Sequence, residues 1–207
     1  MTSAKEFWNW FETNNQSFLV LNNKDIEKEV KGRLLDDLLD HLHEYCDHLY
    51  FEVGGMPGQE QELIITAEGD IDYFEKVEEL INAAPTLENW QFTAFLQPRE
   101  LDYVSNFEDV ELKPLEMWFL PLESKSDPKS IGLRICIPNY EIAKSSEWLD
   151  AAVYKILDTV LGEKVFVLDV NHIEIGDLPD DPENEGMIEL KELSAFIKWK
   201  KAKLAKL

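Results

Sequence analysis

Three of the four histidines fall in one short stretch, Asp40-His41-Leu42-His43-Glu44-Tyr45-Cys46-Asp47-His48. At about 100° of rotation per helical residue, Asp37, His41, Glu44 and His48 line one narrow strip. Imidazoles and carboxylates at three- and four-residue steps can share a divalent metal. On that reading the chain is a metal-dependent or small-molecule enzyme working from the His41/Glu44/His48 strip. The competing reading is the solvated edge of an amphipathic helix, with His48 already passing into the next strand.

Arginine is scarce in this acidic chain, so Arg99 and Arg134 stand out. A guanidinium can grip a ligand carboxylate or phosphate through two parallel hydrogen bonds, or close a structural ion pair. Arg134 sits inside a strand pattern, where either role is open. The acidic run Asp177, Asp180, Asp181, Glu183, Glu185 offers oxygens to calcium, but lacks EF-hand order and is broken by Pro182. Gly54-Gly55-x-x-Gly58 lies between strands, not before a helix, with no Lys or Arg beside it. It reads as a hairpin loop, not a phosphate cradle. No G-x-S-x-G, H-E-x-x-H or C-x-x-C occurs. No catalytic residue and no cofactor is therefore assigned, apart from the divalent metal that the histidine strip would hold.

Those residues need elements to hold them. Phe7, Trp8, Phe11, Phe18 and Leu21 recur near helical spacing, with Asn14-Asn15 as a candidate interruption. Lys24 to Cys46 is an amphipathic helix with Ile26, Val30, Leu34, Leu35, Leu38, Leu39, Leu42 and Tyr45 in one wide stripe. Leu49–Val53 and Leu63–Ala67 read as strands, the second apolar enough to be buried on both faces. Asp70 caps a helix carrying Ile71, Phe74, Val77 and Ile81, which Pro85 stops; Trp90–Phe95 is a third strand.

The same order returns. Leu115–Leu120 and Ile131–Ile137 are strands around a polar turn. Ser145 or Ser146 caps a helix with Trp148, Leu149, Val153, Ile156 and Leu157. Gly162 sits where a helix-ending glycine belongs. Val165–Val170 reads as the closing strand, extended or bent to Ile175. The expected fold is α+β, with two ββαβ units forming a largely antiparallel sheet that helices cover. Helical residues 3–46 precede it and a helix over 187–207 follows it. The units, a pseudo-repeat over 49–96 and 115–175, make one compact domain of 207 residues. The simplest arrangement puts each unit's first strand between the other two, and joins both units in one sheet of about six strands. Gln97 to Pro114 is the connector between halves.

Phe7-Trp8-Asn9-Trp10-Phe11, Leu49-Tyr50-Phe51-Glu52-Val53, Glu62–Gly69, Ala83-Ala84-Pro85-x-Leu87-x-x-Trp90 and Ala94-Phe95-x-x-Pro98-Arg99 resemble a family of uncharacterised bacterial proteins, a domain of unknown function. The likeness lies mainly over residues 5–99. It implies a bacterial source and an α+β fold and supplies no mechanism.

Net charge is −22, and residues 191–207 hold six Lys against one Glu, which leaves −27 on the first 190 residues. Anionic membranes and nucleic acids repel such a body, so neither is expected as a partner. No apolar run reaches the roughly 18 residues of a membrane span. There is no signal-peptide pattern, and Cys46 and Cys136 sit in apolar contexts that suit free thiols in a reducing cytoplasm. The expected function is non-catalytic: an acidic cytoplasmic protein that binds a basic protein, as an immunity-like toxin antagonist or a regulator. A homodimer through an exposed sheet edge is left open.

Overall fold

In the computed structural model, which describes residues 2–205, the chain divides into two compact units, Met1–Leu96 and Gln97–Leu207. The division falls where the connector was expected to begin. The fold is α+β, with helices at the N-terminus and a helix at the C-terminus.

In the first unit, α1 (Ala4–Phe18) opens on a capping box. The Glu6 N–H donates to Ser3 Oγ at 3.3 Å, and the Ser3 N–H donates to Glu6 Oε2 at 2.7 Å. Asn14 and Asn15 do not interrupt it. Their amides donate back to Trp10 O (2.9 Å) and Glu12 O (2.6 Å), so each satisfies itself inside the helix. α2 (Lys28–Tyr45) starts at Lys28 instead of Lys24, and buries Leu38, Leu42 and Tyr45. Val30, Leu34, Leu35 and Leu39 are only half-buried, because the first turns of α2 run past the core.

Strands β1 (Tyr50–Gly55), β2 (Gln61–Thr66) and β3 (Trp90–Ala94) form a sheet in the order β1-β2-β3, with α3 (Phe74–Asn82) between β2 and β3 in sequence. β1 and β2 are antiparallel, β2 and β3 parallel. The expectation of a central first strand is thus overturned. The central position needs a strand buried on both faces, and Leu63-Ile64-Ile65-Thr66 is buried throughout, whereas β1 is half exposed. A helical crossover lets β3 run parallel beside β2, which a hairpin could not do.

Aromatic rings build this unit's core. Trp8 packs on Phe92 (centroids 4.5 Å apart), and Phe11 meets Trp90 edge-on at 5.1 Å. The Trp8 Nε1–H donates to Leu80 O at 2.7 Å, while buried Trp90 Nε1 finds no partner among the described residues. Two matched substitutions separate packing from hydrogen bonding. Trp8→Phe and Trp90→Phe remove similar volume, but only the first removes a bond. Trp8→Phe should be the more destabilising by about 1–3 kcal/mol in urea unfolding. Equal losses would show that the Trp8 bond contributes nothing.

In the second unit the connector is structured. β4 (Ser105–Phe107) and β5 (Val110–Leu112) form a hairpin, and Leu101, Val110 and Leu112 join this unit's core. Then come β6 (Trp118–Leu122), β7 (Gly132–Ile137), α4 (Tyr140–Ala143), α5 (Leu149–Leu161), α6 (Glu163–Asp169), β8 (His172–Asp177), β9 (Ile188–Glu189) and α7 (Leu193–Leu204). The sheet order is β8-β7-β6-β9, with β7 central and parallel to β8. The pairing sense of β6-β7-β8 matches that of β1-β2-β3. Neither Ser145 nor Ser146 caps α5: its N-cap is Trp148, without a side-chain cap, and Ser146 Oγ accepts from the Trp148 N–H at 3.1 Å in the turn before the helix.

Two expectations fail here. Val165–Val170 is not a strand: Glu163–Asp169 is a helix, and the closing strand is His172–Asp177. Gly162, at φ 77°, ends α5 and turns the chain directly into α6. That turn lets Val165, Phe166 and Val170 pack on the core from a helix, which overrides their strand propensity. Nor is there one six-stranded sheet, because the strands fall into sheets of three, two and four. Four of the six pairings between them are antiparallel.

Candidate functional site

α2 ends at Tyr45, so His48 leaves the strip of Asp37, His41 and Glu44 and stands in the turn that follows. The histidine rings are taken up by packing. His41 stacks on Trp10 at 3.8 Å with 9° between planes, and its Nδ1–H donates to Asp37 O at 2.9 Å. His48 stacks on Tyr73 at 3.9 Å. His43 Nε2–H donates to Leu49 O at 3.0 Å and pins the end of the helix to the start of the sheet. Among the described residues no group of three or more His, Cys, Asp or Glu is placed to hold a metal ion. The strip is not assembled, because the four-residue step from Glu44 to His48 needed a helical turn that Cys46, in extended backbone, breaks.

Arg134 projects from β7 on the face away from the core. Its Nε–H and Nη2–H both donate to Glu174 Oε2, at 2.9 and 2.7 Å, across the β7–β8 register pair. Glu174 also lies 3.3 Å from His172 Nε2. Hydrogen bonds from Arg134 and then His172 hold the Glu174 carboxyl below the usual carboxylate range. This is the structural ion pair that the sequence left open for Arg134, and it is exposed enough to contribute little stability. His172 was not singled out from the sequence. Its signal was the two-residue step to Glu174, opposite Arg134 on a neighbouring strand, which only the register makes visible.

Arg99 lies in the second unit as well. It lines an open cleft of about 790 Å3 together with Pro98, Glu100, Leu101, Asp102, Leu115, Val160 and Lys191, so its two cations are matched by two carboxylates. Arg99 and Arg134 are not part of one site. Arg99 is held at the α5 side through its N–H to Thr159 O (2.8 Å), while Arg134 is committed to β8.

The acidic loop after β8 is a set of turns. Asn184 Nδ2–H donates to Asp181 Oδ2, and Met187 N–H to Pro182 O. Its carboxylates do not gather into a calcium cage. The glycine loop is the β1–β2 hairpin turn: Gly55 has φ 110°, and a Cβ there would meet Glu60 O at 2.8 Å. The cationic helix α7 lies on its own unit. Leu193 and Ile197 are buried, and Lys201 Nζ donates to Asp169 Oδ2 at 2.6 Å. Among the described residues no helix is long and apolar enough to cross a membrane.

A second cleft, about 240 Å3, opens between β5 and α4. Asp109, Val110, Glu111 and Leu112 form one wall; Pro138, Asn139, Ile142, Ala143, Ser145 and Ser146 form the other. Ser146 Oγ–H donates to Asp109 Oδ1 at 2.6 Å and ties the walls together at one end. Ile142 is 75% exposed at the lip. The lining pairs one hydroxyl with a carboxylate, Ser146 with Asp109, and holds no His, Cys or Lys beside them. What it offers is apolar surface beside carboxylates, which is binding chemistry.

Comparison with family models, with curated proteins and with solved structures finds no match to this chain.

Proposed function

We propose that this protein acts by binding a basic protein partner in the cytoplasm, and not by catalysis. The observation that carries the reading is the sign of its surface. The first unit holds six Lys and Arg against twenty Asp and Glu, and the second fourteen against twenty-two. Six of the fourteen cations of the second unit lie in residues 191–207, and the apolar side of α7 is already committed to its own core. An excess of carboxylate on both units steers a basic partner and repels nucleic acid and anionic lipid. Antagonism of a basic toxin and regulation of a basic enzyme are the two roles that fit. The likeness of pairing in the two units supports duplication of a ββαβ module as the origin of the scaffold.

The test is affinity capture from a bacterial lysate at low salt, repeated at high salt. A basic protein retained in the first and released in the second is expected, since exposed charge pairs are screened. A capture with no salt-sensitive basic protein overturns the reading.

A further inference from the structure

We propose that the cleft between β5 and α4 takes an extended basic segment of the partner, which pairs with the open edge of β5 and seats one apolar side chain beside Ile142. The proposal rests on the basic-partner reading and gives that partner an address.

The edge comes from register. The two-residue turn Glu108-Asp109 pairs Phe107 with Val110, Asn106 with Glu111 and Ser105 with Leu112. In an antiparallel ladder, hydrogen-bonded and non-bonded pairs alternate, and the pair flanking a two-residue turn is the bonded one. Glu111 therefore belongs to a non-bonded pair, and its N–H and C=O turn away from β4. Among the described residues β5 pairs with β4 alone. Glu111 is also among the residues that line the cleft. An extended chain laid along it would satisfy both groups of Glu111, as strand addition does at other sheet edges.

The opposite wall sets the side chains. At about 240 Å3 the cleft is smaller than the roughly 300–1,000 Å3 of a drug-sized site. It suits one or two side chains of a peptide. Val110, Ile142, Ala143 and Pro138 supply apolar surface, and Asn139 and Ser145 supply polar groups for a second backbone contact.

Charge sets the sign. The hairpin and the α4 segment carry Glu108, Asp109, Glu111, Glu141 and Glu147. The one cation among them, Lys144, is bonded to Glu141 at 2.6 Å. A segment with Lys or Arg on either side of its apolar anchor meets Asp109 and Glu111 in the cleft wall and the other carboxylates on the segments that flank it. A second copy of this chain is a poor occupant. Its Lys-rich stretch is α7, which is helical and has Leu193 and Ile197 buried.

The test uses the full chain and a short synthetic peptide alternating Lys and Thr around one central Leu. Isothermal calorimetry should show saturable, salt-sensitive binding. A peptide with Ser for the Leu should bind about tenfold more weakly, and one with Glu for Lys should not bind. Glu111→Pro removes the outward N–H at an edge where proline is tolerated, and Ile142→Asp removes an apolar lip that is already exposed. Each should weaken binding by about tenfold or more, with unchanged circular dichroism, whereas Glu111→Gln should weaken it less. Slowed hydrogen exchange of the Glu111 amide on peptide addition is the readout that needs no variant. Salt-sensitive binding that neither variant alters would overturn this address and leave the basic-partner reading standing. No binding of the Lys peptide overturns the proposal, and the lysate capture then decides the broader reading. Self-association abolished by Glu111→Pro would make a second copy the occupant and also overturn it.

Discussion

Leu193→Ala and Ile197→Ala should each lower the unfolding free energy by about 2–5 kcal/mol, and deletion of residues 193–207 should leave the second unit without a cooperative transition. Both side chains are buried in that unit's core, at 0% and 1% exposure, alongside Phe119, Leu157 and Leu190. Phe196 extends the contact, 5.3 Å from Phe119 between ring centroids. The six lysines suggest that charge holds the tail down. The geometry assigns most of the hold to apolar burial instead. The ion pair of α7, Lys201 with Asp169, has its lysine half exposed, and such pairs contribute about 0–1 kcal/mol. Lys201→Met should therefore change stability far less than Leu193→Ala, and salt should alter the ranking little. Urea unfolding at two ionic strengths checks this. A loss below about 1 kcal/mol for both alanine variants would mean that α7 rests loosely on the unit.

That contrast shows which parts of the fold the residues announce. Helix stripes did so plainly. The spacing of Phe7, Trp8, Phe11 and Phe18 led directly to the buried side of α1. The near-continuous run Leu63–Thr66 told of a strand covered on both faces. Its central place in the sheet follows from that burial. The simpler connection, with the first strand in the middle, ignored that signal and failed. Val165–Val170 misled for a different reason. Its β-branched residues carry a local preference, and the turn at Gly162 outweighs it by delivering the same apolar side chains to the core from a helix.

Sites were less legible than elements. The His41 strip was a correct reading of helical rotation applied one turn too far, because no residue before Cys46 marks the helix end. The ion pair of Arg134 needed the β7–β8 register, and residues 134 and 174 are too far apart in sequence for any local pattern to join them. The β5–α4 cleft brings the connector against the start of the α5 region, and the sequence treated those stretches as separate loops. Chemistry that depends on one element is visible in spacing; chemistry that depends on two requires their pairing.

Asp158→Asn should stabilise the protein above neutral pH and remove part of its pH dependence. Burial, and then the Glu163 carboxylate across the α5–α6 turn, push the Asp158 carboxyl up from 3.8 to about 7. Below pH 3.8 both the folded and unfolded chains hold the proton, and the group costs nothing. Between about pH 4 and pH 7 the unfolded chain releases it while the folded chain retains it. Stability then falls as pH rises, because the folded state binds more protons. Above about pH 7 the folded carboxyl ionises too, and the loss is complete. Glu6, Glu79 and Glu174 have lowered values and act with the opposite sign at acid pH, so the wild-type profile alone mixes the effects. The difference between wild type and Asp158→Asn isolates the one group. It should be near zero at pH 4 and exceed about 1 kcal/mol in favour of the variant at pH 8, at roughly 1.4 kcal/mol per unit of retained shift. Lys164→Gln, an exposed change next to Glu163, serves as a control that should not reproduce the slope. A pH-independent difference would show that Asp158 is already ionised in the folded chain and that its position is held by packing alone.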